Sequence, residues 1–118
     1  MKEEIYKDIK FYIGQNAQEN WDLLDKLFQL NPDYIWFHLN SFPSPYVIME
    51  SSIKELQTLY TESEIDEFLL VGATLCKENS KYKFLNDLKI CYTSLKKLKK
   101  TNTIGEIIVK GKKKIIKL

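Results

Sequence analysis

The side chains best suited to chemistry gather in the last third of this 118-residue chain: Lys77, Lys81 and Lys83 in one group, Lys96, Lys97, Lys99 and Lys100 in another. The hydroxyls of Ser80, Tyr92, Thr93 and Ser94 stand among them. Ammonium groups mixed with hydroxyl donors suit phosphate oxygens. Tyr46, Tyr92 or Trp36 would add ring faces on which an unpaired base can stack, although aromatics alternating along strands serve equally well as core. The site requires the two lysine groups to converge at one sheet rim. Catalytic patterns are sparse by comparison, with a single histidine, His38, and neither a GxSxG elbow, a phosphate-cradling glycine loop nor an HExxH pair. His38 could serve Cys76 or Cys91 as a base, but nothing in the spacing requires it, and one His with two distant Cys makes a poor metal site. The acids Glu62, Glu64, Asp66 and Glu67 open a helix, where the macrodipole stabilises negative charge. No enzyme, cofactor or metal is expected.

The charge distribution agrees with a polyanion partner. Residues 1–75 hold five Lys and 13 acids, whereas residues 76–118 hold 13 Lys and three acids. Net charges of −8 and +10 hide behind the overall +2. The alternatives are two halves that attract each other within the fold, or a protein-interaction module built on the acidic N-terminal part. All 18 basic residues are Lys, a bias we assign to an AT-rich genome, so every cation acts as a point charge and none as a guanidinium fork. MKEEIYKDIK has no apolar h-region and reads as neither signal nor transit peptide, no stretch is long enough for a membrane span, and two isolated cysteines suit a reducing compartment. A cytoplasmic location and one domain over residues 1–118 are expected.

These side chains need elements to hold them. IKFYIG at 9–14 alternates as a strand, and Asn16 with Glu19 three residues on caps a helix that Asn31-Pro32 ends. Tyr34–Asn40 and Tyr46–Glu50 read as strands around the bend SFPSP, in which Ser44 sits. Capping boxes at Ser52 and Thr61 open helices near 53–60 and 62–79, the second with the stripe Ile65, Phe68, Leu69, Gly72, Ala73 and Cys76. Leu88–Thr93 reads as a strand, LKKLKK as a connector, and Lys110-Gly111-Lys112-Lys113 as a type II′ turn joining EIIVK to KIIKL in a final hairpin. The sum is an α+β fold, an antiparallel or mixed sheet of about five to six strands with helices packed on one face.

At these residues the sequence resembles the NFACT-R domain, the RNA-binding module of ribosome-associated quality-control factors and related eukaryotic coiled-coil-domain proteins. Gly14, Asn16 and Asn20 are similar to the family's glycine and two-asparagine signature. Asp33 through Trp36-Phe37-His38 resembles its Trp-x-His strand, and Pro43-Ser44-Pro45-Tyr46 follows in order. Ala73 to Lys81, Tyr92-Thr93 with Lys99-Lys100, and Gly105 complete the match, which runs from Ile9 to Leu118. Tyr46 stands where the family usually has His. The resemblance implies the fold and a generic RNA or tRNA contact, in a translation or ribosome quality-control setting, by a stand-alone domain. It gives Asn16, Trp36, His38, Ser44 and Tyr46 a place beside the lysines as RNA-binding candidates. It leaves DNA and the oligomeric state open, and does not carry tailing activity to this chain.

Overall fold

A computed structural model describes residues 1–118. The chain opens with a hairpin, β1 (Lys2–Tyr6) and β2 (Ile9–Ile13), turned at Lys7 and Asp8 with φ of 47° and 68°. Positive φ at both central residues is the geometry of a type I′ turn, which usually announces itself through Asn-Gly. Here Lys-Asp makes it, which is why β1 is invisible to the pattern. Helix α1 (Ala17–Leu30) follows its cap as read, with the Asn16 side chain accepting the Glu19 N–H at 2.8 Å. β3 (Ile35–Leu39) and β4 (Val47–Met49) flank the proline bend, then come α2 (Ile53–Leu59) and α3 (Glu62–Glu78). At Thr61 the capping box is reciprocal.

The second half holds β5 (Lys89–Ser94), a 3₁₀ turn (Leu95–Lys97), β6 (Leu98–Lys100), β7 (Ile107–Val109) and β8 (Lys114–Lys117). Six strands form one sheet in the order β1-β2-β4-β3-β5-β8, antiparallel at every pairing, and β6-β7 make a separate ribbon. The α+β fold class with an antiparallel six-stranded sheet is therefore as the sequence indicates. Two details differ. LKKLKK is half strand and not a plain connector, since Leu98–Lys100 pairs with Ile107–Val109. EIIVK and KIIKL do not form a hairpin, because β8 leaves β7 and pairs with β5. Gly111 does take positive φ, 82°, but its bend passes the chain from the small ribbon to the edge of the large sheet.

The helices also divide between the two faces, where the sequence suggested one. α2 and α3 cover Phe11, Ile13, Ile35, Phe37, Leu39, Val47, Met49 and Ile90 with Leu56, Ile65, Phe68, Leu69, Ala73 and Cys76. α1 covers Tyr12, Trp36, Ile48 and Cys91 with Leu23, Leu24 and Leu27. Strand alternation dictates the split: in β3, Ile35, Phe37 and Leu39 point to one helical layer and Trp36 to the other, so both faces are apolar and both need a cover. Gly72 lets α3 settle onto the sheet, since a Cβ there would stand 2.2 Å from Cζ of Phe37. No helix is long and apolar enough to cross a membrane.

Candidate nucleic-acid interface

The two lysine groups do not converge. Lys77, Lys81 and Lys83 end α3 and begin the loop that enters β5, while Lys96 to Lys100 leave β5 at its other end. A strand of that length spans roughly 17 Å, and the ends are anchored separately: Leu88 N–H donates to the Leu118 carbonyl, Lys96 N–H to the Pro32 carbonyl. A single compact lysine bank is thus corrected to two groups at opposite ends of one strand.

Between them runs β8, whose lysines read in the sequence as part of a hairpin with β7 but lie beside β5. Running beside β5, it sets Lys114 opposite Tyr92 and Lys117 opposite Lys89. Lys112 and Lys114 share a cleft of about 1100 Å³ with Lys96, Lys97 and the half-buried Tyr92. The facing wall of that cleft, from α2 and the start of α3, carries Glu55, Glu62 and Asp66. The cleft is thus cationic on its sheet side and, with Lys54 set against those three acids, net negative on its helical side. The lysines thus line one edge of the sheet, with Lys97, Lys112 and Lys114 toward the α2–α3 face, Lys117 and Lys89 at the other end on the opposite face by strand alternation, and Lys81 and Lys83 in the loop that leads into β5.

The partners of the charged groups sharpen this picture. Ten of the 13 C-terminal lysines, all but Lys77, Lys96 and Lys100, have neither a carboxylate nor another hydrogen-bond partner. Lys96 pairs with Asp33 and Lys100 with Asp25, each at 2.7 Å, and Lys100 also lies over the Trp21 ring. Lys77 donates to the Leu118 carbonyl. Lys99 is exposed on β6, in the ribbon apart from the edge. Among the acids of residues 1–75, Glu3, Glu19, Asp25, Asp33 and Glu67 are in ion pairs, and Asp22, Glu50, Glu55 and Glu64 accept side-chain or backbone hydrogen bonds. The acidic part is largely consumed by the fold and the basic part is largely free.

The remaining candidates lie inside the molecule. Trp36 is 1% exposed and Tyr46 0%, so neither offers a ring to a base. They meet edge to face at 5.5 Å, and His38 stacks on Trp36 at 5.2 Å. The half-buried His38 donates from Nδ1 to the Leu39 carbonyl at 2.8 Å, because a carbonyl only accepts, and burial lowers its pKa. Burial raises the Tyr46 phenol far above its ordinary range. Ser44 accepts the Leu39 N–H and Ser80 donates to the Lys77 carbonyl, so both hydroxyls serve turns. Cys76 lies on the α3 face, away from His38, and burial pushes its thiol up to about 12. Cys91 is the cross-strand neighbour of His38, and its thiol is raised as well. No group of three or more His, Cys, Asp or Glu gathers as metal ligands would.

The signature residues converge on a junction that builds the fold. Asn20 Oδ1 accepts the Tyr46 N–H at 3.1 Å, while Gly14 N–H donates to the Tyr46 carbonyl at 2.9 Å. A Cβ on Gly14 would stand 2.0 Å from that Asn20 oxygen. The Tyr46 hydroxyl donates to the Gly105 carbonyl at 2.7 Å, and Gly105, at φ 85°, lies against Ala17 so closely that a Cβ would come within 2.7 Å. Asn16 caps the same helix. One corner thus ties β2, α1, β4 and the β6–β7 loop together.

Among curated protein sequences, none matches this one. Among solved structures, the C-terminal part of the fibronectin/fibrinogen-binding protein from Streptococcus suis has the same fold, with a TM-score of 0.77 over 98% of this chain at 21% identity. This chain spans 44% of the length of that one. The family described as NFACT protein RNA binding domain matches residues 5–117, essentially every element from the first hairpin to the edge strand, and the chain belongs to that family, NFACT-R.

Proposed function

We propose that the chain is a non-catalytic RNA-binding domain over residues 1–118 that holds phosphates along the β5–β8 edge, with Lys81, Lys83, Lys89, Lys97, Lys112, Lys114 and Lys117 as contacts. The observation that carries this reading is the row of unpaired lysines, above all Lys89 and Lys117, which face each other across two strands. Like charges directly opposite destabilise a ladder, and a polyanion laid along the edge relieves that repulsion. Lysine also protects an edge strand from pairing with another chain, but protection alone predicts no affinity for RNA. A module that docks proteins through its acidic part finds less support, because most of those acids already have partners in the fold.

The family supports RNA as the class of ligand. We extend this to tRNA or the ribosome in the cytoplasm, in translation or ribosome quality control, and leave DNA open as a second ligand. With Lys as point charges, binding is phosphate-led and salt-sensitive. Contacts to about four to six phosphates give a slope of log affinity against log salt of roughly −3 to −4 for a single strand. Titration of labelled RNA and DNA oligonucleotides across a salt series checks this; a flat response, or no binding at low salt, overturns it. Ultraviolet crosslinking from cells, followed by sequencing of the attached RNA, tests the setting: tRNA or ribosomal RNA is expected, and enrichment of neither contradicts it.

A further inference from the structure

One end of the basic edge carries exposed aromatic rings. Phe84, in the turn between α3 and β5, is 85% exposed, and Lys83 Nζ lies 5.2 Å from its ring centroid. Two residues back, Tyr82 stacks on Phe42 of the β3–β4 loop with centroids 4.4 Å apart and planes at 26°, and Phe42 is itself 38% exposed. The β3–β4 loop is tied to the start of β5, just after the turn that carries Phe84, by Asn40 N–H, which donates to the Lys89 carbonyl. The turn is also built: Ser80 Oγ accepts the Tyr82 N–H and Leu85 N–H donates to the Tyr82 carbonyl. Lys81, Lys83, Lys89 and Lys117 stand in or beside these segments, against Glu78 and Asp87.

We infer that this rim is a stacking platform for the bases of an unpaired RNA strand whose phosphates continue along the lysines of β5 and β8. The inference rests on the RNA reading above and adds the kind of RNA and the rings that meet it. A phenyl ring left in water forgoes the burial that would stabilise it in a core, and Phe84 is 85% exposed with the Lys83 ammonium beside its ring. A base supplies an apolar face, and the phosphate that follows it supplies charge for Lys81 and Lys83. Duplex RNA has its bases already stacked, so it gains only the lysine contacts. A purely apolar partner would leave the ammonium groups beside the rings without a counter-charge.

The test uses the whole chain and two probes, a single-stranded oligo-adenylate of roughly ten nucleotides and a duplex of matching length. Phe84→Ala should weaken single-strand binding about five-fold to a hundred-fold, the range for one lost base stack. Duplex affinity and the salt slope should stay as in the parent, because no phosphate contact is removed. Phe84→Leu keeps apolar bulk without a π face, and is expected to lose as much as Phe84→Ala. Full affinity in the Leu variant alone would mark an apolar contact and overturn base stacking. Parental affinity in both variants would remove the rim from the RNA surface and leave the RNA reading intact. A parent chain that binds neither probe at low salt overturns both. Folding does not confound the result, since the Phe84 ring lies almost wholly outside the fold.

Discussion

Asn20 and Tyr46 are joined by one buried hydrogen bond, side-chain Oδ1 accepting the backbone N–H at 3.1 Å. Gly14 makes room for that bond. Removing the acceptor leaves a buried N–H unpaired, so Asn20→Ala should destabilise the fold by about 1–3 kcal/mol. Gly14→Ala, which drives a methyl into the same oxygen, should cost at least as much. Thermal unfolding measures both, and RNA affinity well below the midpoint should match the parent. A binding defect without a stability defect would return this corner to the interface.

Trp36 is a second residue on which scaffold and site part company. Its ring is enclosed by α1, Tyr46 and His38, so Trp36→Ala should cost about 3–5 kcal/mol, as for other buried large aromatics, and act on binding only through unfolding.

Gly72 reports on the other layer. Its missing Cβ is occupied by the Phe37 ring. Alanine is the better helix former by about 1 kcal/mol, yet displacing a packed ring costs about 1–3 kcal/mol. We expect the ring to win and Gly72→Ala to lower the melting temperature; a rise would show that α3 can lift off the sheet freely.

His38 should make stability depend on pH. Its folded pKa is lowered, first by burial, with the charge of Lys113 acting in the same direction. The unfolded chain therefore binds its proton more readily, near the ordinary value of about 6.5. The stabilising contribution is complete above that value and is lost as pH falls from there through the lower folded value. Melting temperature should decline below about pH 6.5, and His38→Gln should remove that part of the decline. Glu19 and Glu64, whose pKa values are lowered by hydrogen bonds, add a separate loss in the carboxylate range.

Local chemistry was legible in the sequence wherever a short pattern decides the outcome. Asn16, Ser52 and Thr61 cap their helices as read, and the stripe from Ile65 to Cys76 is buried residue for residue. Pairing was less legible, because KIIKL reads equally well as the partner of EIIVK or of β5, and only the three-dimensional edge decides. The same ambiguity concealed the lysines that matter. In the sequence Lys112 and Lys113 read as turn residues and Lys114 and Lys117 as part of a hairpin strand, whereas nothing in it reveals that Lys96 and Lys100 are paired with Asp33 and Asp25. Trp36 and Tyr46 carry a family signature, and a signature does not say whether its residues face a ligand or hold a corner. Phe42 and Phe84 left no signal beyond aromatic rings among loop residues.

The central claim is that RNA lies on the β5–β8 edge, and one comparison tests it most directly. Lys112, Lys114 and Lys117 are exchanged together for Gln in one variant, and Lys96, Lys99 and Lys100 in another, and each is titrated with single-stranded RNA over a salt series. Losing three free ammonium groups should weaken binding about tenfold or more at low salt and flatten the slope of log affinity against log salt by roughly 2. The second set, two of whose members already neutralise Asp33 and Asp25, should weaken binding less and flatten the slope by less than half as much. The opposite order, with the edge variant binding like the parent at every salt concentration, would contradict the account.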